Sequence, residues 1–388
     1  MGIMGIKARR EYLIEIRERY KNSSRKEKGK ILDEFCTVCD YGRKHAIRIL
    51  NGSRKSLSRK PGPKIRYDAA FVTVLETLWI AMRRMCGKKM TKALPHWLPH
   101  NHSPKITPEI RAKLLKISAS HIDRLLQPIR RRSSLKGLSS TKPGAFLKAK
   151  IPLRVHHWEI KTPGFMQADT VAHCGESLSG AFAFSLTMTD IDSTWTENRA
   201  TWTKGSLNVY EQIKDIETNL PFPILGYSSD NGGEVMNKHL YKYFRSSRDS
   251  ESQVEMTRGR PYRKNDQAHV EQKNFSHVRQ IFGYERFQHP DLVSLMNDIY
   301  KNYWGPLQNF FVPSQKLIRK ERIGAQIKKQ HDIPMTPYQR LMNSDKIIEK
   351  AKQDLKSQYE RLNPFHLSEE LDKKLHFFFK EVKIKKLK

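Results

Sequence analysis

The chain has 388 residues, enough for two to four structural units, and its 72 lysines and arginines outweigh 40 aspartates and glutamates to give a net charge of +32. This excess favours a polyanionic partner, above all nucleic acid, because a phosphate backbone neutralises the charge and releases its counterions. No run of 18 apolar residues occurs and the mean hydropathy is −0.68, which argues against a membrane protein.

The cysteines and the N-terminus indicate a reducing compartment. Four cysteines are too few for a disulfide scaffold, and the charged start is unlike a signal peptide. We therefore expect a cytoplasmic, nucleoid-associated protein of a bacterium. Cys36 and Cys39 form a C-x-x-C pair, but a structural zinc site needs four ligands and no second pair follows, which favours small buried thiols.

Residues 1–52 predict a first helix-turn-helix unit, because apolar residues recur at helical spacing in three segments, 7–21, 25–35 and 42–50. The third segment would turn three side chains inward, Ala46, Ile47 and Leu50. Its basic side chains, which we expect to contact DNA, are Arg43, Lys44 and Arg48. The alternative is a three-helix bundle with a basic face.

Residues 53–66 combine proline, glycine and basic residues without periodicity, which is typical of a linker. Alternatively this segment lies in a DNA minor groove through Arg59 and Lys60. A second helix-turn-helix unit is predicted at 67–130, where Ser118 begins a helix as its N-cap. The side chains of that helix expected at DNA are Ser120, His121 and Arg124, and those expected inside are Ile122, Leu125 and Leu126.

After a second basic linker at 131–152, strands and helices alternate across 153–287. Strands are expected at 164–171, 180–191, 194–202 and 223–230, and helices at 206–220, 234–244 and 265–282. This pattern predicts an α/β unit, a mixed sheet flanked by helices. Residues 288–388 form a helical, basic C-terminal region that would bind DNA or pair protomers.

Three carboxylates in the α/β unit occupy positions at which burying a negative charge costs free energy. Asp169 lies within a strand, Asp230 ends a strand before a turn, and Glu271 is the one charged member of a stripe that otherwise reads Ala268, Phe275, Val278 and Phe282. Converging carboxylates repel one another unless hard cations bind them. We therefore expect two Mg²⁺ ions, with Mn²⁺ as a possible substitute, acting on a phosphodiester.

These residues stand in three segments: QADT at 167–170, YSSDNGGE at 227–234 and TRGRPYRKNDQAHVEQKN at 257–274. The segments resemble the insertion-sequence DNA transposases that share an Asp-Asp-Glu catalytic core of ribonuclease H-like fold with retroviral integrases. The resemblance implies a catalytic and metal-binding triad of Asp169, Asp230 and Glu271. One departure is the spacing of the last two acids, 271 − 230 − 1 = 40 residues, which is longer than usual in the group.

The resemblance further implies cleavage at the element ends and attack of the freed 3′-hydroxyl on target DNA, with the helical units binding terminal inverted repeats. Joining two ends requires a homodimer or larger assembly on double-stranded DNA. Basic residues near the triad are expected to hold phosphates: Arg258, Arg260, Arg263, Lys264 and Lys273. Asp266 is expected to cap the Glu271 helix, and Asp190 and Asp192 to be turn acids.

Two alternatives belong to other functional classes. One is a DNA-binding regulator derived from a transposase with an inactive core, although all three acids are present. The other is a nuclease of similar fold that hydrolyses DNA without joining it. Assays on labelled element ends separate the three functions.

Overall fold

A computed structural model describes residues 4–52, 66–133, 160–229, 238–246, 248–250, 252–258, 268–324 and 326–387. The chain divides into two compact units, Met1–Arg66 and Tyr67–Lys388. No helix among these residues is long and apolar enough to cross a membrane.

The first unit contains three helices, α1 (Ile6–Asn22), α2 (Arg25–Cys39) and α3 (Arg43–Asn51). Ser24 and Glu27 cap α2 reciprocally. Its core consists of Ile16, Tyr20, Ile31, Leu32, Phe35, Cys39, Ala46 and Leu50. The three predicted helices are therefore present, and their arrangement as a helix-turn-helix stays a prediction.

Two details of the first unit differ from expectation. The helix α2 continues through the predicted break to Cys39, because the Cys39 side chain is buried, and it ends where Asp40 adopts a left-handed conformation with φ of 54°. Ile47 is 38% exposed, not inward, because Ala46 and Leu50 already define the buried side of this short helix.

The second unit begins with four helices, α4 (Ala69–Ala81), α5 (Gly87–Trp97), α6 (Pro108–Lys116) and α7 (Ala119–Ser133). The Ser118 hydroxyl accepts a hydrogen bond from the His121 amide, as expected of an N-cap. A Cβ at Gly87 would collide with the Ala119 carbonyl, so glycine permits the close crossing of α5 and α7. These helices share a hydrophobic core with the sheet and the C-terminal helices, and the predicted domain boundaries within 67–388 stay predictions.

The sheet has five strands in the order β3-β2-β1-β4-β5. Their bounds are β1 (Phe165–Ala172), β2 (Ala183–Asp190), β3 (Thr196–Trp202), β4 (Gly226–Ser229) and β5 (Glu255–Arg258). The first three strands are antiparallel, whereas β4 runs parallel to β1 and β5 parallel to β4. The prediction of a helical N-terminal region followed by a mixed sheet with helices is confirmed.

Helices flank the sheet. They are α8 (Ser206–Asn219), α9 (Lys238–Tyr241, continued by a π-helical turn Lys242–Ser246) and α10 (Ala268–Lys273, continued by a π-helical turn Asn274–Arg279 and then Gln280–Phe282). The next helix, α11 (Asp291–Asp298), continues as Ile299–Trp304 and is followed by Leu307–Phe311. These segments bury four aromatic side chains in the core, Tyr300, Trp304, Phe310 and Phe311.

A β-hairpin that the sequence did not predict separates this region from the C-terminal helices. It consists of β6 (Leu317–Ile323) and β7 (Gln326–His331), and each residue of both strands is exposed. The chain then forms α12 (Pro337–Asn343), α13 (Glu349–Arg361) and α14 (Pro364–Leu387). The Arg83 guanidinium, in the turn between α4 and α5, donates to the Asp372 carboxylate of α14 at 2.6 Å, which connects the first and last helices of this unit.

Candidate active site

Asp169 lies in the middle of β1, paired with Thr187 of β2. Its carboxylate accepts a hydrogen bond from the Thr170 amide at 2.7 Å and another from the Asn274 side-chain amide at 2.6 Å. Two residues earlier on the same strand face, the Gln167 side-chain oxygen accepts from the Val270 amide at 3.3 Å. Two contacts therefore fix the helix α10 against the strand that carries Asp169.

Glu271 lies on this helix, one turn before Asn274, so it is a neighbour of the side chain that contacts Asp169. The Glu271 side chain is exposed. The predicted apolar stripe is wrong in part, because Phe275 is 57% exposed whereas Val270, Val278 and Phe282 are fully buried.

The π-helical turn explains this difference. In a regular α-helix a line of residues spaced by four drifts around the axis, whereas a π-helical turn holds one extra residue and compensates for the drift. Val270, Asn274, Val278 and Phe282 therefore share the side of the helix that faces the sheet and core. Glu271 and Phe275 lie beside that line, and both side chains are exposed.

Asp230 lies outside the described residues. It directly follows Ser229, and Ser229 pairs with Ala168 where β1 and β4 run parallel. The residues that immediately precede the two predicted aspartates are thus register partners. Among the residues that the structure describes, no three His, Cys, Asp or Glu side chains form a metal-binding group. The complete triad therefore stays a prediction.

Asn274 belongs to the candidate site but is not among the residues predicted from the sequence, although it stands three residues after Glu271 and therefore on a neighbouring position of the helix. While its amide nitrogen donates to Asp169, its Oδ1 is buried and makes no hydrogen bond with the described part of the chain. A buried amide oxygen without a donor is costly, and its needs would be met by a cation or a cation-bound water. This orphaned oxygen beside two carboxylate positions fits hard, oxygen-liganded Mg²⁺.

Lys273 projects from the same helix into a cationic environment. Its ammonium lies 3.4 Å from His277 Nε2, and burial, together with the charges of Lys89 and Arg340, lowers the pKa of Lys273 to about 7. Burial also lowers the pKa of His269 to about 4, with further contributions from Lys316 and Lys273. The predicted phosphate contact of Lys273 stays a prediction.

The other predicted DNA-contacting residues lie in several places. Exposed side chains on α3 are Arg43, Lys44 and Arg48, and exposed or half-buried ones on α7 are Ser120, His121 and Arg124. Arg43 pairs with Asp33, and the Arg48 guanidinium contacts His45 Nδ1 at 2.9 Å. Residues or side chains outside the described part are Arg59, Lys60, Arg258, Arg260, Arg263, Lys264 and Asp266.

The two expected turn acids are confirmed in that role. Asp190 is buried at the end of β2, where its carboxylate accepts hydrogen bonds from the Gly164 amide at 2.8 Å and from the Ser193 amide and hydroxyl at 2.6 Å. Burial raises the pKa of Asp190 to about 6, although these hydrogen bonds oppose the shift. The Asp192 carboxylate accepts from the Lys316 ammonium at 3.1 Å.

Comparisons with known proteins identify a relative of nearly full length. No family model matches the chain. The catalytic core domain of BIV integrase is 17% identical with a TM-score of 0.22, and the match covers 28% of this chain and 62% of that one, less than two thirds of its length. The uncharacterized protein y4rM of Sinorhizobium fredii (strain NBRC 101917 / NGR234) is 37% identical over 347 residues, which are 86% of this chain and 95% of y4rM. The chain therefore belongs to the same family as y4rM.

Proposed function

We propose that the chain is an insertion-sequence DNA transposase with an Asp-Asp-Glu active site on a ribonuclease H-like core. The observation that carries the proposal is the 2.6 Å hydrogen bond from Asn274 to Asp169. It fixes the Glu271 helix on β1, next to the strand that Asp230 follows. The strand order and directions, with β4 and β5 parallel to β1, also agree with that fold.

In this proposal Asp169, Asp230 and Glu271 bind two Mg²⁺ ions, for which Mn²⁺ would substitute. When bound, the ions would supply the positive charge that activates the attacking oxygen and stabilises the leaving oxygen at phosphorus. Other residues of the chain hold the metal-binding side chains in position. Asn274 orients the Asp169 carboxylate, while Gln167 holds the first turn of the Glu271 helix.

The charge of the chain supports a DNA substrate. Its net +32 is matched to a polyanion, and the exposed basic side chains of α3 would contact the terminal inverted repeats of the element. Because two ends must be joined, we propose that a homodimer or larger assembly forms on double-stranded DNA.

The test uses the full chain, Mg²⁺ and labelled duplexes taken from the DNA that flanks its gene. We predict joined products for the natural chain, and for Asp230→Asn a loss of joining by about a thousandfold or more with DNA binding intact. The matched control is Asp249→Asn, which makes the same change at an exposed acid of the same unit and should leave joining unchanged.

Each other outcome contradicts the proposal. Nicked products without joined ones would indicate a nuclease, and binding without cleavage would indicate a regulator. Joining by Asp230→Asn at the natural rate would remove Asp230 from the active site.

A further inference from the structure

The β6–β7 hairpin has no core of its own. All residues of both strands are exposed, and apolar side chains on it are about half exposed, including Ile323 at 50% and Ile327 at 51%. An isolated two-stranded hairpin is marginally stable in water, since neither face is covered. The exposed apolar and basic side chains of the hairpin do not stabilise the fold, so binding of a partner explains them better.

The hairpin is strongly basic. Between Leu317 and His331 the chain has five lysines and arginines and one glutamate, 5 − 1 = +4. Register divides these charges between two faces, because paired residues share a face and successive residues alternate. One face, the Lys320 face, carries Lys320 opposite Lys329 and Arg322 opposite Ile327.

The opposite face, the Arg319 face, carries Arg319 opposite Gln330 and Glu321 opposite Lys328. There the Arg319 guanidinium lies 3.5 Å from the Glu321 carboxylate, so part of the positive charge is compensated. The Lys320 face has no acidic position. Two lysines directly opposite each other destabilise a strand pair, and a polyanion bound between them would reverse that effect.

The hairpin is anchored to the catalytic unit at its base. The Lys316 ammonium donates to the Asp192 carbonyl at 2.7 Å, and the Lys316 amide donates to the Asp332 carboxylate at 2.6 Å. Asp332 in turn pairs with Arg340 of α12 at 2.7 Å. These contacts hold the root of the hairpin on the turn between β2 and β3.

This anchor is on the sheet that carries Asp169. Asp192 lies two residues beyond Asp190, which pairs with Met166, three residues before Asp169, so the anchor is within about 20 Å of Asp169. Two strands about 4.8 Å apart form a ribbon that fits the major groove of B-DNA, which is about 12 Å wide. A DNA duplex bound at the triad would therefore lie within reach of the hairpin.

We infer that the β6–β7 hairpin is a DNA-binding ribbon that enters the major groove and contacts phosphates through Lys320 and Lys329. Arg322 and Ile327 on the same face contact base edges, the isoleucine by apolar contact with thymine methyl groups. The inference rests on the proposed function, since it takes the DNA handled by the active site as the partner.

The test compares two double variants of the full chain that each remove two positive charges. Lys320→Ala/Lys329→Ala changes the Lys320 face, and Arg319→Ala/Lys328→Ala is the matched control on the other face. Binding to a mixed-sequence DNA duplex is measured between about 50 and 200 mM salt. We expect the first variant to bind about tenfold to a hundredfold more weakly and to lower the slope of log K against log salt by about 2, and the control to change both much less.

Equal losses in the two variants would overturn the inference, since they would show only a general effect of charge. The inference would also be overturned if Lys320→Ala/Lys329→Ala bound the DNA duplex with the affinity and salt dependence of the unsubstituted chain. If the first variant instead changed the oligomeric state while binding DNA with the natural salt slope, the hairpin would be a contact between copies of the chain.

A failure of the proposed function can be distinguished from a failure of this inference. Natural DNA binding without any joining would contradict the transposase proposal, while the binding of the two hairpin variants would still decide the inference. A natural chain that bound no duplex at all would overturn both.

Discussion

The central sheet and the β6–β7 hairpin belong to one compact unit but differ in how many of their strand residues are buried. Seven of the eight residues of β2 are buried, whereas every residue of β6 and β7 is exposed. The sheet satisfies its buried polar groups internally, as where the Asn198 amide donates to the Thr187 hydroxyl at 2.9 Å. Burial therefore determines which side chains the sheet accepts, and the hairpin is free of that constraint.

The largest effect on stability is predicted for Arg199→Met in β3. Arg199 is 1% exposed and its guanidinium contacts Glu197 at 3.0 Å and Asp215 at 2.5 Å. Removing it leaves Glu197 buried without this partner, which should lower the free energy of unfolding by about 3–5 kcal/mol. Chemical denaturation measures the change.

The matched substitution in the hairpin is Arg319→Met, which breaks an exposed ion pair and should cost about 1 kcal/mol or less. Similar losses at the two positions would contradict the contrast between sheet and hairpin.

A smaller effect, dependent on pH, is predicted for Asp190 at the end of β2. Burial raises its folded-state pKa to about 6, above its ordinary value of 3.8. The folded state therefore binds more protons between these values, and the contribution of Asp190 is fully present below about pH 4 and is lost as pH rises through about 6. The loss is about 3 kcal/mol.

Denaturation of the natural chain and of Asp190→Asn across this pH range gives the comparison. The variant should lack this component of the pH dependence. An unchanged pH dependence would show that the Asp190 carboxyl does not titrate with a raised pKa.

The smallest effect is predicted for Ile327→Ala in the hairpin. Ile327 is 51% exposed, so its truncation should change the free energy of unfolding by about 0.5 kcal/mol or less. The control is Leu186→Ala in β2, where a fully buried side chain should cost about 2–5 kcal/mol. A large loss from Ile327→Ala would mean that the hairpin contributes to the folded core.

The sequence predicts the strands well where burial imposes a pattern. The expected strand at 164–171 contains most of β1, and the one at 194–202 contains β3. It does not predict the hairpin, because segment 317–331 has no apolar side to bury and its charges resemble those of a solvated loop. The same limit applies to the four early helices, whose apolar stripes do not reveal that they pack against segments more than 200 residues later, as where the Trp97 indole donates to the Phe311 carbonyl at 3.1 Å.

The candidate site is predictable in part. The sequence predicts a strand at Asp169 and a helix at Glu271, and both elements are present. The apolar stripe that favours Glu271 in the sequence is only partly present, because the π-helical turn changes which side chains of this helix are buried. The contact between Asn274 and Asp169 joins residues 105 positions apart, a separation that periodicity does not detect.

The π-helical turn Asn274–Arg279 also makes the helix tolerant of a change in length at this point. It holds one residue more than an α-helical turn, so deleting one codon after Asn274 would leave a regular helix in which Val270 and Val278 keep nearly the same relative phase and stay on the core side. The same deletion in the α-helical part Ala268–Lys273 would instead rotate the residues before it by about 100° relative to the core. In evolutionary terms, the gene can lose one codon at the π-helical turn without changing which side of the helix faces the core, whereas it cannot do so one turn earlier.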